Sequence, residues 1–132
     1  MEGYIEINVN SSQREEMIEI TSMVNRFISD NNYHDGLCLI FVPHTTCGVT
    51  INENADPDVT RDIVGMLSQL IPHRADYRHL EGNSDAHIKS SLVGPSQQVI
   101  VAKGRLCLGT WQGVFLCEFD GPRRRKLWIK FL

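Results

Sequence analysis

His44, His79 and His87 are the residues a packed core needs least. A neutral imidazole offers one ring nitrogen to a metal or a proton and the other to a hydrogen bond. Three such rings around one open position make a catalytic Zn²⁺ shell. The gaps of 35 and 8 residues between them match no local zinc pattern, so everything depends on whether the fold brings them together. The ordinary alternative is a set of surface or cap histidines, the reading adopted for His34 and His73. Cys47, beside Thr46 in a polar stretch, is the one thiol placed for reactivity, with simple packing as its alternative.

Two further stretches concentrate polar chemistry. Asn52-Glu53-Asn54-Ala55-Asp56 packs two carboxylates and two carboxamides into five positions. Asp56 before Pro57 reads as a helix N-cap and the asparagines as turn residues, but turn chemistry gives no reason for Glu53, which can serve as a general base or orient a histidine. Gly109-Thr110-Trp111-Gln112-Gly113, with Glu118 and then Arg123-Arg124-Arg125, forms the second. Trp111 and Gln112 between glycines suggest close backbone approach to a ligand or neighbouring subunit, or else a bulged turn plugged by the indole. In a strand Arg123 and Arg125 share one face and Arg124 and Lys126 the other, so half of the run can grip a phosphate or diphosphate, unless it is a solvated edge.

The elements that must position these groups follow from periodicity. Residues 4–9 alternate as a half-buried strand, and Ser12 with Glu15 looks like a capping box opening a helix over residues 13–30. The apolar run 37–42 predicts a central strand covered on both faces, and residues 49–52 a short one. Asp56-Pro57 then starts a helix whose buried stripe is Val59, Ile63, Met66, Leu67 and Leu70, stopped by Pro72. Residues 72–82 read as loop. Ser84 or Asp85 caps a short helix over 86–92, ended by Gly94-Pro95, and four more strands lie near 99–101, 106–108, 114–117 and 127–129. About seven strands and three helices, without βαβα rhythm, give an α+β class with a mostly antiparallel or mixed sheet.

The 132 residues suit a single domain, 1–132, and the 42% hydrophobic content excludes disorder as the main state. No apolar run approaches the ~18 residues of a membrane span and the N-terminus lacks a secretory layout, so no membrane and a cytoplasmic location are expected. Cys38, Cys107 and Cys117 read as buried reduced thiols. The net charge of −3 divides unevenly: residues 1–62 hold 3 basic and 11 acidic side chains, residues 63–132 hold 10 and 5. A basic pocket for an anion fits that split better than a nucleic-acid surface, because no aromatic ladder accompanies the cations.

Taken together, His44-Thr45-Thr46, Asn52 to Pro57, Tyr77 to His79, His87-Ile88-Lys89-Ser90-Ser91-Leu92 with Gly94, Gly104-Arg105, Leu108 to Gly113 and Glu118 resemble the YjbQ-like family, whose assigned activity is secondary thiamine-phosphate synthase. The resemblance implies a YjbQ-like α+β fold assembled as a homotrimer, with His44, His79 and His87 meeting a divalent metal near the subunit boundary. It also implies Glu53, Lys89 and Gln112 as catalytic residues, and Thr46, Asn52, Asp56, Ser90, Thr110, Trp111 and Glu118 as binding residues beside Arg123 and Arg125. The loop at Leu80-Glu81-Gly82-Asn83 is shorter than in some relatives, which leaves Glu81 unassigned.

Thiamine-phosphate synthesis joins a pyrimidine diphosphate to a thiazole phosphate and releases pyrophosphate, so cations must meet a departing polyanion. If residues 86–92 are helical, Lys89 points about 200° away from His87 and needs a bend or a second subunit to share its ligand. Three imidazoles favour zinc, whereas diphosphate chemistry favours Mg²⁺. A metal-dependent hydrolase of a small phosphorylated or carboxylated metabolite, with Glu53 as base, is the second expectation. A non-catalytic metal- or ligand-binding trimer is the third.

Overall fold

The structure is a computed structural model that describes residues 3–132. Eight strands and three helices follow in the order β1 (Ile5–Asn10), β2 (Glu16–Glu19), α1 (Thr21–Asp30), β3 (Asp35–Phe41), β4 (Cys47–Glu53), α2 (Pro57–Leu70), α3 (Ser84–Val93), β5 (Ser96–Ala102), β6 (Arg105–Leu106), β7 (Gln112–Glu118) and β8 (Arg124–Phe131). They form a five-stranded sheet ordered β1-β8-β3-β5-β6 and a three-stranded sheet ordered β2-β7-β4. Every pairing is antiparallel, so the fold is α+β as expected.

Period-two alternation sends one side of each sheet into a single core. Ile7, Cys38, Ile40, Val99, Val101, Leu127 and Ile129 come from the larger sheet, Val49, Val114 and Leu116 from the smaller. Helix α1 adds Val24 and Ile28. The spacing that defines a helix does run from residue 21 to 30, but not from 13.

That first half is a correction. The Glu16 carboxylate, not that of Glu15, accepts the amides of Ser12 at 2.6 Å and Gln13 at 2.8 Å, which closes a turn. Residues 16–19 then pair with β7, Met17 opposite Cys117 and Ile18 opposite Leu116. A waiting edge strand outcompetes the helical period there, because the ladder satisfies the same backbone groups. Glu15 is released for long-range contacts.

Helix α2 begins as read, Asp56 accepting the Asp58 amide at 2.9 Å with Pro57 in the first turn. Its apolar stripe is not buried, however: Met66 is 54% and Leu70 69% exposed. Only Leu67 packs against the small cluster of Ala86, Cys117 and Phe119. Strand β3 is central in its sheet but covered on one face, Cys38 and Ile40 buried while Leu37 remains exposed. Cys107 is exposed rather than buried, since β6 ends at Leu106 and the chain turns away. No described helix is long and apolar enough to cross a membrane.

Candidate functional site

His44 leaves the end of β3, and its Nε2 accepts the Lys126 backbone amide at 2.9 Å. In a neutral ring that acceptor role puts the proton on Nδ1. Burial, and then the Arg125 charge, lower the pKa of His44 and keep it neutral. The next turn brings Thr46, buried, whose hydroxyl and carbonyl both accept from Arg125 Nη2, at 2.8 and 3.2 Å.

Beneath them lies a closed network. Glu118, fully buried at the end of β7, accepts from Arg125 Nε at 2.8 Å and again from Nη2, from the Ser11 hydroxyl at 2.6 Å, and from the Phe119 and Asp120 amides at 3.1 Å. Burial pushes the Glu118 carboxyl up, but the bonds from Arg125, Ser11 and Asp120 outweigh it and leave its pKa below the usual range. Glu118 and Arg125 therefore satisfy each other. They support the floor of a cleft rather than offering charge to a ligand.

Helix α3 forms one wall. Asn83, His87 and Ser90 recur at four- and three-residue spacing and so share a face. The Asn83 amide donates to Asp120 Oδ2 at 2.9 Å, while Asn83 Oδ1 and Ser90 Oγ are buried without a partner among the described residues. The His79 ring, from the loop, lies edge-on to His87 with centroids 5.4 Å apart. Arg123 is held by its Nε on the Asp120 carbonyl at 2.8 Å and by Nη2 on the Asp120 carboxylate at 3.0 Å, and remains half exposed.

These groups open onto one cleft of about 490 Å³, shared by His44, His79, His87, Glu81, Asp120, Arg123 and Arg125. A smaller recess of about 300 Å³ adjoins it through His44 and His87 and is lined by Cys47 and Ser90. The three histidines do share a cleft. They do not make the expected zinc shell: no group of three or more His, Cys, Asp or Glu among the described residues is arranged to hold a metal ion. Because His44 Nε2 already accepts from Lys126, a three-imidazole shell does not fit the rings as they stand.

The other predicted residues go elsewhere. Lys89, on the opposite face of α3 as the helical angle requires, is fully buried, bonding Asp85 at 2.8 Å and Glu15. Arg14 grips the same Asp85 through two bonds of 2.9 and 3.1 Å. Burial pushes the Asp85 carboxyl up, yet Arg14 and Lys89 bring its pKa down to about 2. Ser68 on α2 completes the set by donating to Glu15 at 2.6 Å. Lys89 thus anchors α3 and does not line the cleft.

Glu53, Asn52, Asp56, Thr110, Trp111 and Gln112 gather at the far end of the three-stranded sheet. Cys47 and Glu53 are six positions apart along β4, about 20 Å at ~3.4 Å per residue. There Glu53 accepts the Asp56 amide at 3.2 Å, Asn52 accepts that of Glu53 at 2.8 Å, and Gln112 accepts that of Gly109 at 2.8 Å. Thr110 and Trp111 are exposed. Gly113 is required by close approach within the chain itself, since a Cβ would stand 2.7 Å from Glu19 Oε2 and 2.9 Å from Asn54 Cβ. Cys47 is no reactive thiol; burial pushes it up to about 12.

The sequence profile described as "UPF0047 protein YjbQ-like" matches residues 5–132. The chain belongs to the YjbQ-like family. Among YjbQ-like relatives, UPF0047 protein MJ1081 of Methanocaldococcus jannaschii is 55% identical over 94% of this chain and 90% of its own length. UPF0047 protein YugU of Bacillus subtilis is 52% identical over 96% of each. A crystal structure of a YjbQ/UPF0047 protein from Clostridium acetobutylicum superposes with a TM-score of 0.94 at 52% identity, covering 97% of this chain and 99% of that one. Another, from Aeropyrum pernix, gives 0.93 at 32% identity over 98% of each.

Asn83 and Asp120 are the YjbQ-like cleft residues that sequence reasoning missed. Each sits in an ordinary capping or turn position, and they are marked by their mutual bond and by the hold of Asp120 on Arg123.

Proposed function

We propose that the histidine cleft binds and transforms a small phosphorylated metabolite. The observation that carries this reading is the convergence of His44, His79, His87 and Arg123 on one polar cleft above a saturated Glu118–Arg125 support. Arg123 keeps part of its guanidinium free for a phosphate oxygen, and the imidazoles supply acid–base groups within the same space. Preorganised charge of this kind stabilises a developing anion.

The thiamine-phosphate synthase reaction is the transfer form of that chemistry. Its departing pyrophosphate needs several cations, and Lys89 and Arg125 are committed to buried carboxylates. That observation favours the second form, hydrolysis of a single phosphorylated substrate, with His87 or Asp120 in the base role first considered for Glu53. The chain is taken to act as a homotrimer, and the exposed Tyr4, Leu37 and Ile100 on the mixed outer side of the larger sheet are the apolar groups a neighbouring copy would cover.

The test is an assay of the full chain with both thiamine precursors, with each alone, and with simple phosphate monoesters. Phosphate release from one substrate and water supports hydrolysis, while pyrophosphate that requires both precursors supports the synthase. Ligand binding without turnover of either kind leaves a non-catalytic binding trimer and overturns the enzymatic reading.

A further inference from the structure

We propose that the groove between α1 and the β5–β6 turn is a second anion site, built for a di- or triphosphate group and separate from the histidine cleft. The groove holds about 580 Å³ and shares no residue with that cleft. Arg26, His34, Lys103 and Arg105 line it, and no carboxylate does. Among the described residues Arg26, Lys103 and Arg105 make no ion pair or side-chain hydrogen bond; Arg74, Arg78 and Arg124 are unpaired as well, so what marks the groove is that three such cations line one concave surface. All three are exposed, and with no carboxylate in the lining the groove carries a positive potential that attracts an anion.

The backbone points the same way. Asn32 and Lys103 are the non-glycine residues with positive φ among those described, at 52° and 55°, and both line this groove. Lys103-Gly104 occupies the tip of the β5–β6 hairpin, where Asn-Gly is the sequence that two-residue turns favour. A lysine there accepts left-handed strain that an asparagine would largely avoid, which turn chemistry does not explain. The frame is firm: the Gly104 amide donates to the His34 carbonyl at 3.1 Å, and the Leu106 amide to Asn25 Oδ1 at 2.9 Å, tying hairpin, loop and helix together.

The charge balance selects the ligand. Three permanent cations match the roughly threefold negative charge of a diphosphate or triphosphate, and they outweigh the partial negative charge of about one half at the C-terminal end of α1. Two arginines provide planar forks for phosphate oxygens and Lys103 a point charge, and the remaining volume admits an organic portion of the ligand.

Amide-resolved NMR titration of the full chain with inorganic tripolyphosphate at constant ionic strength tests this. Saturable shifts are expected at residues 32–34 and 103–105. Lys103→Asn, which suits the turn and so preserves the fold, and Arg105→Gln should each weaken binding about tenfold, the scale of a charged hydrogen bond. Arg123→Gln in the histidine cleft should leave these shifts unchanged, and shifts at residues 79 and 87 report that cleft separately. Absence of shifts at 32–34 and 103–105, shifts that persist in the Lys103→Asn/Arg105→Gln double variant, or a response to RNA alone would each overturn the proposal.

Discussion

The two ends of the three-stranded sheet carry comparable densities of polar motif residues in opposite physical states. At the Cys47 end, Glu118, Arg125 and Thr46 are buried and mutually bonded beneath a cleft. At the Glu53 end, Asn52, Glu53, Asn54 and Gln112 bond to nearby backbone or to Glu19, and Trp111 is 63% exposed. A buried, saturated network holds geometry at high energetic stake, while an exposed one shapes a turn at little cost. Polar motif residues therefore form the rigid floor of a cleft at one end and a loop at the other.

Substitutions separate the two ends. The largest effect is expected for His87→Ala, which should lower turnover about 10²- to 10⁴-fold while Glu53→Gln leaves it unchanged; equal losses in a steady-state assay would break the distinction. Next, Arg125→Ala should cost about 3–5 kcal/mol in urea unfolding, because Glu118 is left buried and uncompensated. Glu53→Gln, in an exposed turn, should stay within about 0.5 kcal/mol.

Lys89→Met should cost about 3 kcal/mol, since Asp85 keeps Arg14 as a partner but Glu15 loses its cation and keeps only the Ser68 hydroxyl. Unchanged affinity of that variant for phosphate monoesters would confirm Lys89 as an anchor. The pH dependence of stability follows from depressed carboxyls. With Asp85 brought down to about 2, and Glu118 also lowered, their contribution is complete above the ordinary carboxyl range near ~4. It is lost as pH falls from there toward 2. Acid titration of unfolding should show that decline, flattened in Asp85→Asn. The smallest effect belongs to Trp111→Ala, within about 0.5 kcal/mol by thermal or urea unfolding, since its indole is solvated in the chain.

Much of the fold was legible because local rules acted alone. Asp56-Pro57 opened a helix, and the alternation of Ile5, Ile7 and Val9 within residues 4–9 made a half-buried strand. The failures share a cause. Residues 13–20 carried helical spacing but lay beside the free edge of β7, and strand pairing is a long-range event that no local window contains. The stripe of α2 was real, yet the chain supplies only the small cluster around Cys117 and Phe119 to cover it.

For the candidate site, the sequence by itself determined the inventory: imidazoles at element ends, an arginine run of alternating face, and a lysine one helical side removed from His87. Tertiary structure decided the assignments. It closed Glu118 onto Arg125 and Lys89 onto Asp85 and Glu15, and it drew Asn83 and Asp120 to the cleft. It sent Glu53 and Gln112 to the opposite end of the sheet. Residue type limits what a group can do, but the work it performs depends on which charges and hydrogen-bond partners lie within a few ångströms, and those partners come from distant parts of the chain.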